Sequence, residues 1–184
     1  MNSYSAFETE RTNVFYINHD MAEEVQKYLT RNRTRLSLFE PLRDSEYYTL
    51  ANIKERIDAS VSEQKHTKGV SFAVTLKDSQ EIIAVINFTN FIFGVFQACY
   101  LGFSIDEKYE GKGIMYEVLS SALIYIRDTY SLHRVMANHL PDNKKSAFLL
   151  KKLGFVQEGY AKSYLMINGI WQDHVLNALI FENA

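Results

Sequence analysis

Tyr109-Glu110-Gly111-Lys112-Gly113-Ile114-Met115 joins two segments of different periodicity. Before it, Ala98-Cys99-Tyr100-Leu101-Gly102-Phe103-Ser104-Ile105 is an apolar run that reads as a buried strand. After it, Ile114, Met115, Val118, Leu119, Ala122, Leu123 and Ile126 recur at helical spacing and form one apolar face. The order is therefore strand, glycine-containing turn, helix. At such a junction the first helical N–H groups lack intrahelical acceptors and point into the turn. The helix dipole adds partial positive charge there, and the glycines remove side chains that would block an anion. The pattern predicts a phosphate-binding turn. It is not a P-loop, which requires G-x-x-x-x-G-K-S/T. Nor is it the dinucleotide fingerprint G-x-G-x-x-G, because Tyr116 stands at the third glycine.

The chain has 184 residues, 47% of them hydrophobic, which is enough for one domain spanning residues 1–184 with a substantial core. The net charge of −2 supplies no basic footprint, so direct nucleic-acid binding is not expected. Cys99 is the single cysteine, which fits a reducing compartment. Met1-Asn2-Ser3-Tyr4-Ser5 lacks the basic start and apolar core of a secretory signal. No apolar run reaches membrane-spanning length. These features predict a soluble cytoplasmic protein.

Outward from the central turn, Met1 to Glu10 reads as a loose polar start and Thr12 to Ile17 as a strand. Asp20 is a candidate helix cap with Glu23 as its capping-box partner, and Arg31-Asn32-Arg33-Thr34-Arg35 reads as a basic break. That break is either a solvated surface or a cationic rim near ligand phosphates or the ribosome. Leu50, Ile53, Ile57 and Val61 mark a second helix. Ser71–Leu76 and Glu81–Phe88 read as strands around the polar turn Asp78-Ser79. Phe91, Phe93 and Phe96 surround Gly94, either as core aromatics or as a lip over a substrate. Asn168-Gly169, between apolar runs Ala161–Ile167 and Ile170–Phe181, is a strong hairpin signal. The sum is a mixed sheet with helices on its faces, α/β or α+β.

Glu110-Gly111-Lys112-Gly113-Ile114-Met115 resembles the pyrophosphate loop of the GNAT N-acetyltransferases, Gln/Arg-x-x-Gly-x-Gly/Ala, with Glu110 and Met115 as departures. Downstream, Asn143-x-x-Ser146, a helix, Leu153-Gly154-Phe155 and then Glu158-Gly159 follow in that family's order. The stretches Ala98–Gly102, Gly159-Tyr160-Ala161-Lys162 and Trp171–Leu176 are similar to the RimJ/RimL branch, whose members acetylate N-terminal α-amines of ribosomal proteins. The resemblance implies a mostly antiparallel central sheet flanked by helices, with acetyl-CoA as co-substrate and no metal. It also implies a protein N-terminus as acceptor, an alanine of a small-subunit ribosomal protein.

Such an enzyme must hold acetyl-CoA, present a neutral amine to the thioester and stabilise an oxyanion. By resemblance the loop from Lys108 through Glu110, Gly111, Lys112, Gly113 and Ile114 to Met115 holds the pyrophosphate. Phe103, Ser104 and Ile105 offer backbone groups to the pantetheine arm, and Gly102 suits a bulge or close backbone approach. Lys144 and Lys145 lie beside the proposed phosphate sites. Asn143 is both a helix N-cap candidate and a CoA contact, with Ser146 near the sulfur. The family's usual tyrosine proton donor is replaced by Leu150, which leaves Ser146 as the candidate donor. Tyr100 and Leu165 occupy positions where relatives carry a glutamate base. Asp173 and His174 match the branch pattern, and an imidazole titrates in the range useful for amine deprotonation. Cys99, among apolar neighbours, reads as structural. Two rival functions remain: acetylation of a small amine, and a non-catalytic acyl-CoA-binding or ribosome-associated module.

Overall fold

The computed structural model describes residues 5–182. Its elements in order are β1 (Ser5–Glu8), β2 (Thr12–Tyr16), α1 (Ala22–Leu36), α2 (Leu50–Lys65), β3 (Val70–Leu76) and β4 (Ile82–Ile92). There follow β5 (Ala98–Ile105), α3 (Ile114–Tyr130), β6 (Arg134–His139), α4 (Lys144–Lys152), β7 (Val156–Ile167) and β8 (Ile170–Ile180). One 8-stranded sheet runs β1-β2-β3-β4-β5-β6-β8-β7. Every neighbouring pair is antiparallel except β5 and β6, which α3 connects. The mixed, mostly antiparallel sheet expected from the sequence is the sheet observed.

Alternation along the strands sends side chains to two faces. On one face Phe72, Ile86, Phe88, Leu101 and Val135 pack under Val118, Leu119, Ala122 and Ile126 of α3 and Leu150 of α4. On the other, Ala73 and Val85 meet Val25 and Tyr28 of α1 and Ile53 and Ile57 of α2. Burying a large apolar side chain contributes roughly 1.5–3 kcal/mol, so these two layers fix the helices on opposite sides. Phe7, Tyr16, Phe72 and Tyr125 add edge and tilted ring contacts at 5.4–6.4 Å. Asn168 and Gly169 both have positive φ (47° and 78°), the conformation of a two-residue hairpin turn that Asn-Gly favours.

Several local expectations are corrected. Ser5–Glu8 is a strand and not part of a loose start; residues 1–4 lie outside the described residues. Asn18, not Asp20, caps the first helical turn, accepting from the Asp20 N–H at 3.0 Å. Arg31–Arg35 does not break the chain but completes α1. β7 begins at Val156, five residues before the apolar run. Gly102 sits in regular register opposite Asn87, and the β4–β5 irregularity lies at Thr89–Ile92 instead. Phe91 is buried, while Phe93 and Phe96 are exposed near Gly94.

Candidate active site

The turn after β5 is built from two nested caps. Asp106 accepts the Lys108 N–H at 3.0 Å and starts a 3-10 turn over Glu107–Tyr109. The Glu110 N–H is held by the Glu107 carbonyl at 3.2 Å. Gly111 (φ +69°) and Gly113 (φ +77°) then take the left-handed conformation, and Gly113 is the N-cap of α3. The first helical bond runs from the Glu117 N–H to the Gly113 carbonyl at 3.1 Å. Among the described residues, the N–H groups of Gly111 through Tyr116 donate to no protein acceptor. A Cβ placed on Gly111 would meet nothing within 4 Å. Six free donors, a helix dipole and open space are what an anion such as a phosphate needs at a helix N-terminus. Lys108 and Glu110 have their N–H groups already occupied, so the free donors begin at Gly111. The Lys108 ammonium turns toward Glu81, 4.0 Å away. The Lys112 ammonium lies 5.5 Å from the Tyr109 ring centroid.

Of the turn's three carboxylates, Glu107 is exposed, and Asp106 and Glu110 are each paired with cations. Glu110 takes Arg35 of α1 at 2.7 Å and Lys145 of α4 at 2.5 Å, which ties α1, the loop and the start of α4 together. Asp106 is bound by Arg31 and by Asn32, the latter at 3.2 Å. Burial pushes the Asp106 carboxyl up, but Arg31, the Lys108 N–H and Asn32 outweigh it and hold it below the usual carboxylate range. Arg11, at the start of β2, grips the loop from beneath. It donates to the Lys112 carbonyl at 2.9 Å and pairs with Glu117 at 2.6 Å.

Beside the loop the sheet unzips. β5 and β6 pair only at Ala98–Arg134, Cys99–Val135 and Tyr100–Met136, then part. The edge of Leu101–Ile105 facing the gap has no neighbouring strand. Phe103 and Ile105 aim at the α3 layer. The Ser104 hydroxyl points the other way, accepting from the Tyr28 hydroxyl at 2.8 Å. Arg35 already holds the Ile105 carbonyl. A Cβ on Gly102 would meet nothing within 4 Å, so the face of the strand is open at this residue.

Asn143 caps α4, its side chain accepting the Ser146 N–H at 3.1 Å. Ser146 thus lies on the first turn of α4, next to the Lys145–Glu110 pair, and Leu150 one turn on is buried in the core. Asp173 and His174 are adjacent on β8 and point to opposite faces, so they form no dyad. Asp173 accepts from the Ser163 N–H and the Tyr160 hydroxyl, both at 2.8 Å, and staples the irregularity in β7. These two donors hold its carboxyl below the usual range. His174 is 4% exposed, bonded through Nδ1 to the Gln172 carbonyl at 3.1 Å. Its ring lies 5.7 Å from Tyr164. Tyr100 shares that face of the sheet, and burial, with Tyr164 beside it, pushes its phenol up. The structure therefore brings Tyr100, Tyr164 and His174 together. Burial raises the Cys99 thiol to about 12, unlike an activated nucleophile.

On this face, between α1, α2 and the strands, lies a cavity of about 160 Å³ lined by Glu40, Tyr47, Arg56, Ser71, Asn87 and Ser104. A wider recess of about 560 Å³ opens further along, beside Tyr100, Thr89, Glu63 and Lys68. The α1–α2 connection is fastened to the β7–β8 turn by the Asn168 N–H, which donates to the Glu40 carbonyl at 3.0 Å. Arg11, Glu40 and Tyr164 lie around the candidate site and were not singled out in the sequence; Arg31 and Arg35 were read there as a solvated surface or a cationic rim, not as partners of Asp106 and Glu110. Their partners are far away in sequence, and no local spacing announces them. Among the described residues, no group of three or more His, Cys, Asp or Glu side chains is arranged to hold a metal, and no helix is long and apolar enough to cross a membrane.

Comparison with known proteins agrees with this geometry. The acetyltransferase (GNAT) domain family matches residues 11–156. The ribosomal protein uS5-alanine N-acetyltransferase of Escherichia coli K12 is 42% identical over 171 residues, covering 93% of this chain and 88% of its own. The crystal structure of the ribosomal-protein-S5-alanine acetyltransferase of Vibrio fischeri superposes with a TM-score of 0.92 at 37% identity, covering 96% of this chain and 97% of that one. RimJ of Mycobacterium smegmatis, solved with CoA-disulfide, shares the fold at a TM-score of 0.88 and 23% identity, covering 93% and 82%. With a glycine turn of free N–H groups beside an unzipped strand pair, and with this extent of similarity, the chain belongs to the GNAT acetyltransferases.

Proposed function

We propose that the chain transfers the acetyl group of acetyl-CoA to the N-terminal α-amine of a protein, and that this acceptor is an N-terminal alanine of a small-subunit ribosomal protein. The observation that carries the cofactor half is the row of free N–H groups from Gly111 to Tyr116, set at the mouth of the β5–β6 gap. The acceptor half is supported by the relatives at 42% and 37% identity, whose names specify alanine of ribosomal protein five of the small subunit. In this reading Gly111, Lys112, Gly113, Ile114 and Met115 hold the pyrophosphate. Phe103, Ser104 and Ile105 line the pantetheine arm, and Asn143 positions the start of α4. Ser146 protonates the leaving thiolate. Tyr100 and His174 with Tyr164 border the acceptor. The working compartment is the cytoplasm, and the described sheet with its helices is one acetyltransferase domain.

Acceptor chemistry favours a terminus over a side chain. An α-amine titrates near 8 and a lysine near 10.4, so presenting a neutral lysine at pH 7 costs about 3 kcal/mol more. A site with Tyr100 and Leu165 at the family's glutamate positions is better matched to the less basic amine. The test uses an Ala-starting peptide that also contains lysine, with and without a blocked terminus. Acetylation at the terminus of the free peptide, and none on the blocked one, is expected. Equal modification of lysine in the blocked peptide would make this a lysine acetyltransferase. Modification of polyamines or amino acids alone would make it a small-amine enzyme.

A further inference from the structure

Glu40 is a carboxylate facing a cavity that the proposed roles above leave unused. It lies four residues past the end of α1, and its main chain is fixed by the bond from Asn168 in the β7–β8 turn. Glu40 is among the residues lining the 160 Å³ cavity, with Tyr47, Arg56, Ser71, Asn87 and Ser104. Two of these reach the strand that borders the gap: Ser104 is on β5, and Asn87 of β4 pairs with Gly102 across the β4–β5 ladder. The cavity therefore abuts the strand segment assigned to the pantetheine arm. Its volume equals about five waters at ~30 Å³ each, enough room for a small terminal residue.

The cavity walls are electrically mixed. Arg35 of α1, Arg43 of the connection and Arg56 of α2 act on the Glu40 carboxylate only through space, with no hydrogen bond to it. Tyr28 and Tyr48 also lie within its field, and Tyr47 lines the same cavity. Arg43 and Arg56 are stacked on the two sides of Tyr47, 4.3 and 3.7 Å from its centroid, which keeps them off Glu40. Burial raises the Glu40 carboxyl, and the three arginines only partly offset it. A carboxylate in this state is a better proton acceptor than one in water.

We propose that Glu40 receives the acceptor's α-ammonium in this cavity and is the base that takes its proton. The inference rests on the N-terminal acetylation reading and names a residue for it. One ammonium proton moves to the Glu40 carboxylate. The freed nitrogen lone pair forms the C–N bond to the acetyl carbonyl carbon. The C–S bond breaks as the tetrahedral adduct collapses, the thiolate takes the Ser146 hydroxyl proton, and the second proton that the nitrogen sheds on becoming an amide restores the Ser146 hydroxyl through solvent. Glu40 then returns its proton to solvent.

The test compares wild type with Glu40→Gln and Glu40→Asp on an Ala-starting peptide from pH 6 to 9, with acetyl-CoA affinity measured alongside. Glu40→Gln should lower kcat/KM by roughly 10- to 1000-fold at pH 6.5 and leave acetyl-CoA affinity unchanged. The deficit should shrink to a few-fold above about pH 8, where the amine is already neutral and needs no base. Glu40→Asp should recover part of the loss. A Glu40→Gln enzyme within twofold of wild type across the range overturns the proposal, as does a deficit that stays constant with pH. If wild type ignores the peptide but acetylates a small amine, the N-terminal reading fails. The same ratio measured on that amine then decides Glu40.

Discussion

Replacing Gly113 with valine separates the phosphate loop from the fold around it. Gly113 caps α3 at φ +77° and ψ −2°, where an L-residue is strained. Holding a non-glycine residue there costs roughly 1–3 kcal/mol, with a branched side chain at the upper end. For a chain of this size that is a fall in Tm of roughly 2–12 °C. A Cβ at Gly113 meets only Arg11 Nη2, at 3.6 Å, so the core is not disturbed and far-UV circular dichroism should stay native. Relieving the strain means turning the backbone at Gly113, which would swing the free N–H groups at the start of α3 out of line. Hydrogen bonds to a charged group contribute about 1.5–3 kcal/mol each. Losing two of them predicts roughly a hundred- to ten-thousand-fold weaker acetyl-CoA binding, measured by calorimetry. Gly94→Val is the matched control. Gly94 has φ +76° in the β4–β5 turn with nothing within 4 Å of its Cβ, so it carries the strain without touching the loop. Wild-type acetyl-CoA affinity in folded Gly113→Val protein would refute the loop assignment, and an equal loss in Gly94→Val would show that strain alone explains it.

Ser146→Ala should lower kcat by about 10- to 1000-fold at unchanged acetyl-CoA affinity; because the α4 cap belongs to Asn143, Asn143→Ala is the variant that should lose about 1 kcal/mol of stability. Unchanged kcat in Ser146→Ala removes that hydroxyl from the mechanism. Asp106→Asn should destabilise by about 2–3 kcal/mol, less than the ~3–5 of a fully buried pair because the Arg31 side chain is 25% exposed. The Asp106 carboxyl is depressed in the folded state, so its contribution is present above the ordinary range near 4 and is lost as pH falls through the folded value. Melting curves of wild type and Asp106→Asn should therefore converge in acid; a gap that stays constant down to about pH 2 contradicts the ion-pair account.

Periodicity made most of the fold legible before any coordinates. β5 falls on Ala98–Ile105, the run read as a strand, because its first residues are buried in the core and its pattern is mostly apolar. α3 follows the Ile114–Ile126 stripe and runs one turn further to Tyr130. The misreadings share one cause, the absence of apolar contrast. β1 is a four-residue edge strand with exposed ends, and the first residues of β7, Val156, Gln157 and Glu158, are all exposed. Such segments are strands because a neighbour supplies hydrogen bonds, not because they bury a face. Arg31–Arg35 looked like a break for the complementary reason: charge clusters suggest solvent, yet arginine is a good helix former.

The same cluster explains what was legible in the site and what was not. Free N–H donors are a local property of a glycine turn entering a helix, so Gly111–Met115 could be found from spacing alone. The charges that make the turn usable by an anion are not local. Asp106 and Glu110 are four residues apart and, left alone, would repel a diphosphate. Arg31 and Arg35 are also four apart, on one face of α1. Each meets a carboxylate of the turn across about 75 residues of sequence, as the Arg31–Asp106 and Arg35–Glu110 pairs show, and Arg31 also reaches Glu81 at 3.2 Å. The pairing cancels both negative charges and leaves the N–H row as the local field. Lys145 adds a third cation on Glu110, so the cluster of Arg35, Lys145 and Glu110 keeps a net positive charge beside the loop. Where relatives carry Gln or Arg at the first loop position, this chain reaches a similar electrostatic result with a carboxylate and two cations. That solution also fastens α1 and α4 to the loop, which a lone neutral or basic side chain would not do.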